Sequence, residues 1–265
     1  MCDAAALPDV IALVSCLSPE EGERALSRCD IVYEAVPEKM DAKQAALDYC
    51  GTAMRDDAVL ASTTSTFLVS ELAALIGHPE RCINAHWLNP AHLIPLVEPS
   101  CEAAVDPKAL ACLQDSLASI GKVTVVCSAS PGYIVPRIQS LALNEAARLV
   151  ADGVASAEDV DKAVRNGFGP RYAVLGLLEF IDWGGGDILY YASNYLAEAL
   201  GPRYGSPDIV AENMHAGRNG LREGEGFFDY RDMDTAAYRK ERMTEFVALL
   251  GHRNLLPRFM AAKTV

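Results

Sequence analysis

Basic side chains are scarce in this sequence. Lysine and arginine number 23 against 36 aspartates and glutamates, a net charge of −13 over 265 residues. So acidic a chain suits no phosphate polymer, which excludes nucleic acid as a partner. A single dinucleotide is not excluded, because backbone N–H groups can hold a diphosphate without basic side chains. No apolar stretch approaches the length of a membrane span, and no basic segment followed by a long apolar run opens the chain, so neither a membrane anchor nor a signal peptide is expected. Among the eight cysteines there is no C-x-x-C pair, and no cluster of Cys and His has metal-ligand spacing. That excludes a zinc site and reads as reduced, buried thiols in a cytoplasmic protein. Internal repeats and low-complexity segments are also missing.

What is present is a chain with 51% apolar residues, enough to fill the core of one large domain or two modest ones. Short apolar runs alternate with helical patterns up to about residue 127. Strands are expected at 30–36, 58–62, 82–86, 93–98 and 122–127. Helices are expected from Ser18, with Ser as cap and Pro19 at the first position, and over 37–50, 68–76 and 107–120. This alternation predicts a parallel α/β sheet with helices on its faces. At Ser130-Pro131-Gly132 a turn intervenes. Beyond it the pattern is helical: one long helix from Ile134 to near Gly153, another opening at Ser156, and others around 186–199, 206–216 and 235–250. The expected organisation is an α/β domain over 1–128 followed by an all-helical domain over 129–265.

The segment richest in chemistry is Asn84 to Glu98, NAHWLNPAHLIPLVE. His86 ends one apolar run and Glu98 ends the next. If the two strands are neighbours, both side chains can meet at one end of the sheet. A carboxylate on one imidazole nitrogen fixes the tautomer and raises the basicity of the other, as needed to take a proton from an alcohol. On spacing alone, such a His–Glu pair is more often a structural hydrogen bond than a catalytic one.

This segment resembles the H-[FW]-x-N-P-x-x-x-x-x-L-[VI]-E motif of the 3-hydroxyacyl-CoA dehydrogenase family. Four further blocks resemble the same family in the same order: CDIVYEAVPEKMDAK from Cys29, LASTTST from Leu60, the G-K-x-x-V-V…P-G-Y junction from Gly121, and, in the helical half, GVASAEDVDKA from Gly153 with GLREGEGFFDY from Gly220. The resemblance implies a partial Rossmann-like NAD-binding domain, then a helical domain through which the chain forms a homodimer. It implies NAD-dependent oxidation of a 3-hydroxyacyl-CoA, or a related small 3-hydroxy acid or alcohol, to the 3-keto product. Carried over by position, His86 is the general acid/base, Glu98 its orienting partner, and Ser65 a hydrogen-bond donor to the substrate oxygen. Asn89 falls against the nicotinamide or the active-site backbone, Glu38 and Lys43 near the cofactor, and Arg222 where the family tends to have a Lys that reaches it. By residue type alone, Ser65 also reads as a turn cap, Asn89 as an Asn-Pro turn residue, and Glu38 and Lys43 as a solvated helix face.

Two departures stand out. Where the family has an Asn that helps hold the reacting carbonyl, this chain has Pro136, which has no side-chain donor; Tyr133, Arg137 and Gln139 are nearby replacements. The H-W-x-N-P-x-H-x-I-P variant with Pro136 looks more like outlying members that act on carnitine, gulonate or a pyridine-ring alcohol. The second departure is the glycine-rich loop. The first 28 residues hold no G-x-G-x-x-G, and Gly184-Gly185-Gly186 lies in the helical half, too far on to replace it. The expectation is a sequence truncated at its N-terminus, with an exposed sheet edge. The alternative is a cofactor-deficient, non-catalytic dimerisation or ligand-binding module.

Overall fold

The computed structural model describes residues 14–256. The chain forms two compact units, residues 1–144 and 145–265. In the first, the order is α1 (Pro19–Leu26), β1 (Ile31–Glu34), α2 (Met40–Ala53), β2 (Val59–Ser62), α3 (Val69–Ala73), β3 (Cys82–Trp87), β4 (Leu96–Cys101), α4 (Pro107–Ser119), β5 (Val123–Thr124) and β6 (Cys127–Ser128). α1 begins as its sequence predicts: Ser18 caps it, Glu21 returns a hydrogen bond to the Ser18 N–H, and Pro19 occupies the first turn.

The strands form one sheet in the order β1-β2-β3-β4-β5, with β6 also on β4. Period-two alternation sorts their side chains onto two covered faces. Val32, Leu60 and Cys82 pack with Leu47 and Cys50 of α2 and Leu72 of α3. Val59, Ala61, Ile83, Ala85 and Val97 pack with Ala109, Leu113 and Leu117 of α4. β2 and most of β3 are therefore buried on both sides, which is why they read as continuous apolar runs rather than alternating ones.

The sheet departs from the expected all-parallel arrangement at one place. β3 and β4 are antiparallel, with His86 opposite Glu98 and Asn84 opposite Ser100. Residues 88–95 are too few for a parallel crossover, so the chain turns straight back. β4 accordingly runs over Leu96–Cys101 instead of 93–98, and Glu98 lies near its start. The expected strand 122–127 is two short pieces, both parallel to β4.

The helix α5 (Val135–Ala151) follows, and Pro136 stands in its first turn, where a missing N–H costs nothing. The second unit continues with α6 (Ala157–Ala163), a π-helical turn (Val164–Phe168), α7 (Gly169–Val174), α8 (Leu177–Gly184), α9 (Gly186–Leu200), α10 (Asp208–His215) and α11 (Thr235–His252). Its organising residue is Asp182, buried to 2% exposure on α8. The carboxylate accepts from the N–H groups of Phe227 and Phe228 and from the Tyr230 hydroxyl, tying the segment before α11 to α8. Gly220 must be glycine at this junction: its φ is +111° and an added Cβ would lie 2.3 Å from the Asp182 carbonyl oxygen. Among the described residues, no helix is long and apolar enough to cross a membrane, and no group of three or more His, Cys, Asp or Glu could hold a metal.

Candidate active site

On the sheet face that carries Val32, Leu60 and Cys82, the next outward position of each strand is polar. Glu34, Ser62 and Asn84 are register partners across β1, β2 and β3, and Ser100 and Cys127 continue the row across β4 and β6. Glu34, Ser62, Asn84 and Ser100 are all at most 3% exposed. One step beyond this row, His86 and Glu98 face each other.

His86 Nδ1 lies 3.0 Å from Glu98 Oε2. The other carboxylate oxygen, Oε1, accepts from the backbone N–H groups of Ile134 at 3.1 Å and Val135 at 2.8 Å, at the start of α5. Glu98 is fully buried. With the two N–H groups directed at Oε1, Glu98 suits an acceptor role toward Nδ1 of His86, an arrangement that assigns the ring proton to Nδ1 and leaves Nε2 as the acceptor nitrogen. The imidazole is stacked on the Tyr133 ring, 4.8 Å between centroids and 11° between planes. The Tyr133 hydroxyl donates to the Thr64 carbonyl oxygen at 2.7 Å and accepts from Asn84 Nδ2 at 3.1 Å. Burial pushes this phenol up to about 12, against the hydrogen bond from Asn84, which lowers it, and with the nearby charges adding to the rise. With both capacities spent inside the protein, the hydroxyl cannot take the place of the missing Asn side chain at Pro136. Arg137 and Gln139 are exposed on α5.

A second cluster underlies the turn after β2. Lys43, on α2, is fully buried. Its ammonium donates to Glu34 Oε1 at 3.1 Å and Oε2 at 3.0 Å and pairs with Glu38 Oε2 at 3.2 Å. Glu34 also accepts from the Ser62 hydroxyl at 2.5 Å and the Val36 N–H at 2.7 Å. Glu38 gathers the turn: its Oε1 accepts from the hydroxyls of Thr64 and Thr66 and from the N–H groups of Ser65 and Thr66. Burial alone would push the Glu38 carboxyl up; the hydroxyls of Thr64 and Thr66, Lys43 and the Thr66 N–H outweigh it and hold it at about 2. Lys43 is therefore not on the solvated helix face that charge patterning also allowed, whereas Glu38 is exposed and precedes the helix. Lys43 supports the turn from beneath, and the Ser65 side chain is left exposed at its tip.

The loop between the dyad strands is held by Lys122. Its ammonium donates to the carbonyl oxygens of Ala91 and Ile94 and sits 5.2 Å from the centroid of the Trp87 ring. Asn89 is exposed on this loop. Arg222 lies in the second unit, where it pairs with Asp187 at 3.0 Å and Glu223 at 2.6 Å. The first unit therefore brings together His86, Glu98 and, beneath the neighbouring turn, Glu38 and Lys43. Glu34, Ser62 and Asn84 were not singled out from sequence. The available signal was a polar residue at the same outward step of three consecutive apolar strands.

For a dinucleotide, the fit is one-sided. The free imidazole nitrogen suits the reacting end. No glycine cradle for a diphosphate accompanies β1 among the described residues: Gly22, in α1, faces the Tyr49 hydroxyl, 3.1 Å from where a Cβ would stand.

Comparison with known proteins agrees with this architecture. Residues 5–130 match the model for the 3-hydroxyacyl-CoA dehydrogenase NAD binding domain, and residues 132–230 match that for the 3-hydroxyacyl-CoA dehydrogenase C-terminal domain. A 5-formyl-3-hydroxy-2-methylpyridine 4-carboxylate 5-dehydrogenase of Mesorhizobium japonicum is 34% identical over 226 residues, 85% of this chain and 73% of that protein. A 3-hydroxybutyryl-CoA dehydrogenase of Bradyrhizobium diazoefficiens is 31% identical, over 78% of this chain and 70% of its own. The crystal structure of a 3-hydroxyacyl-CoA dehydrogenase from Archaeoglobus fulgidus superposes with a TM-score of 0.74 at 34% identity, covering 86% of this chain and 78% of that one.

Proposed function

Because this chain belongs to the 3-hydroxyacyl-CoA dehydrogenase family, we propose that it oxidises the hydroxyl of a 3-hydroxyacyl-CoA, or of a smaller 3-hydroxy acid or alcohol, to the ketone, with His86 as the base. NAD is the family's cofactor and supplies the hydride acceptor when bound. His86 takes the alcohol proton at Nε2, and the Glu98 carboxylate holds the ring in the tautomer that leaves this nitrogen free. Ser65, at the exposed tip of the turn that Glu38 holds, is assigned to the substrate oxygen, and Asn89, on the loop fixed by Lys122, to the nicotinamide side. Glu38 and Lys43 serve the cofactor side indirectly, by shaping that turn. Arg222 is engaged with Asp187 and Glu223, which leaves its assignment to the cofactor resting on position alone. A homodimer through the second unit is supported by the apolar side chains exposed along α9, Ile188, Tyr191 and Tyr195 among them.

The observation that carries the reading is the 3.0 Å contact between His86 Nδ1 and a fully buried carboxylate. NADH formation is to be followed with 3-hydroxybutyryl-CoA and carnitine. On whichever is turned over, His86→Gln is expected to lower kcat by ~10²–10⁴ with KM little changed. Retention of more than about a tenth of kcat contradicts the assignment, since acid/base catalysis supplies at least ~10².

A further inference from the structure

One hydrogen bond to Glu98 sets which nitrogen of His86 carries the proton only while the ring keeps Nδ1 on the carboxylate, and a single bond does not stop the ring from swivelling away from it. What blocks the swivel is the Tyr133 ring, lying nearly parallel to the imidazole. Tyr133 is in the left-handed region, with φ +46°. A bulky L-residue is disfavoured there, and glycine would sit there freely. Such conformations persist where the surroundings over-determine them, and they gather at functional sites. Here the over-determination is visible. The hydroxyl is tied to Thr64 and Asn84, and Asn84 Nδ2 is itself held by the Phe67 carbonyl oxygen at 3.1 Å. The left-handed turn at Gly132 and Tyr133 also brings the next two N–H groups, of Ile134 and Val135, onto Glu98.

We infer that Tyr133 is the positioning residue of the His86–Glu98 pair: its ring seats the imidazole, and its backbone turn delivers two N–H groups to the carboxylate. Asn84 and Thr64 lock Tyr133 in turn. The inference rests on the dyad reading above and adds a residue that acts through the imidazole and its carboxylate partner.

The test uses the full chain, with the substrate best turned over in the panel above, and reads the imidazole ¹⁵N shifts of His86 by NMR, assigned with His86→Gln. Tyr133→Phe keeps the ring and the turn. It is expected to hold kcat within about fivefold of wild type and to retain the Nδ1-protonated tautomer. Tyr133→Leu and Tyr133→Gly remove the ring and are expected to lower kcat at least about tenfold with KM within about twofold, because an ångström of misplacement suffices for such a loss. In both, the His86 shifts move toward a mixture of tautomers. Tyr133→Gly relaxes the left-handed backbone, so it serves should Tyr133→Leu fail to fold. If Tyr133→Gly keeps kcat within about twofold and the single tautomer, the inference is overturned. If instead His86→Gln turns over like wild type, the dyad reading falls, and the tautomer comparison still decides whether Tyr133 seats the ring.

Discussion

Glu98→Gln separates the two tasks of one side chain with almost no change of shape. The carboxylate accepts three hydrogen bonds: from Ile134 N–H, Val135 N–H and His86 Nδ1. Glutamine offers one acceptor oxygen and one donor nitrogen. If its oxygen stays with the two backbone groups, its NH₂ faces Nδ1, and the imidazole must present a lone pair there. The ring proton then moves to Nε2, and the base is blocked. In the opposite orientation the tautomer survives, but two buried N–H groups meet a donor, at about 1–3 kcal/mol for each unsatisfied group. A change of tautomer in a free imidazole costs far less, so the first arrangement wins. The expected outcome is a folded protein whose kcat is lower by ~10²–10⁴, the range for loss of a general base. Steady-state NADH formation measures the rate, and the His86 ¹⁵N shifts report the proton on Nε2. A Glu98→Gln protein with more than about a tenth of wild-type kcat, or an inactive one whose Nδ1 is still protonated, refutes this reasoning.

The buried ammonium and the turn it supports carry two further predictions. Lys43→Met leaves Glu34 charged and uncompensated in the core, and is expected to cost about 3–5 kcal/mol in chemical denaturation; a cost below about 1 kcal/mol shows that the cluster does not hold the first unit together. Glu38 is depressed from 4.5 to about 2, so its contribution to stability is complete above pH 4.5 and is lost as pH falls from 4.5 toward 2. Thermal melts in that window should therefore fall more steeply for wild type than for Glu38→Gln, and parallel curves for the two proteins count against Glu38 as the anchor of the turn.

Much of the first unit is written in local pattern. Apolar runs bounded by turn residues locate β2 and β3, and Ser18-Pro19-Glu20-Glu21 announces α1, because capping and burial act over a few residues. Strand direction is not local. Nothing in LIPLVE says which way β4 runs, so its antiparallel pairing and its later start became evident only with the sheet assembled. The dyad could be found because its two members face each other across adjacent strands. The stack of Tyr133 on His86 could not, since the partners are far apart in sequence and meet through a left-handed turn that no periodicity encodes. Lys43 and Glu38 illustrate a different limit. A charged pair in such a segment usually reads as a wetted face, and only the placement of Glu34 on the covered face of β1, in contact with Lys43, reveals that the lysine is inside. Asn84 was hidden for the opposite reason: one amide in an apolar run does not disturb a strand assignment, and its meaning comes from Ser62 and Glu34 beside it.

Glu98 also sets a limit for anyone who would re-engineer this chain. The same carboxylate that orients the base is the N-terminal anchor of α5, so a graft or insertion that shifts the helix start by a fraction of a turn pulls on the imidazole as well. Such variants would pass a screen for expression and solubility and still be silent in an assay. Libraries aimed at a new substrate are better directed at the exposed positions of residues 88–95 other than Asn89, on a loop that Lys122 holds through backbone carbonyls.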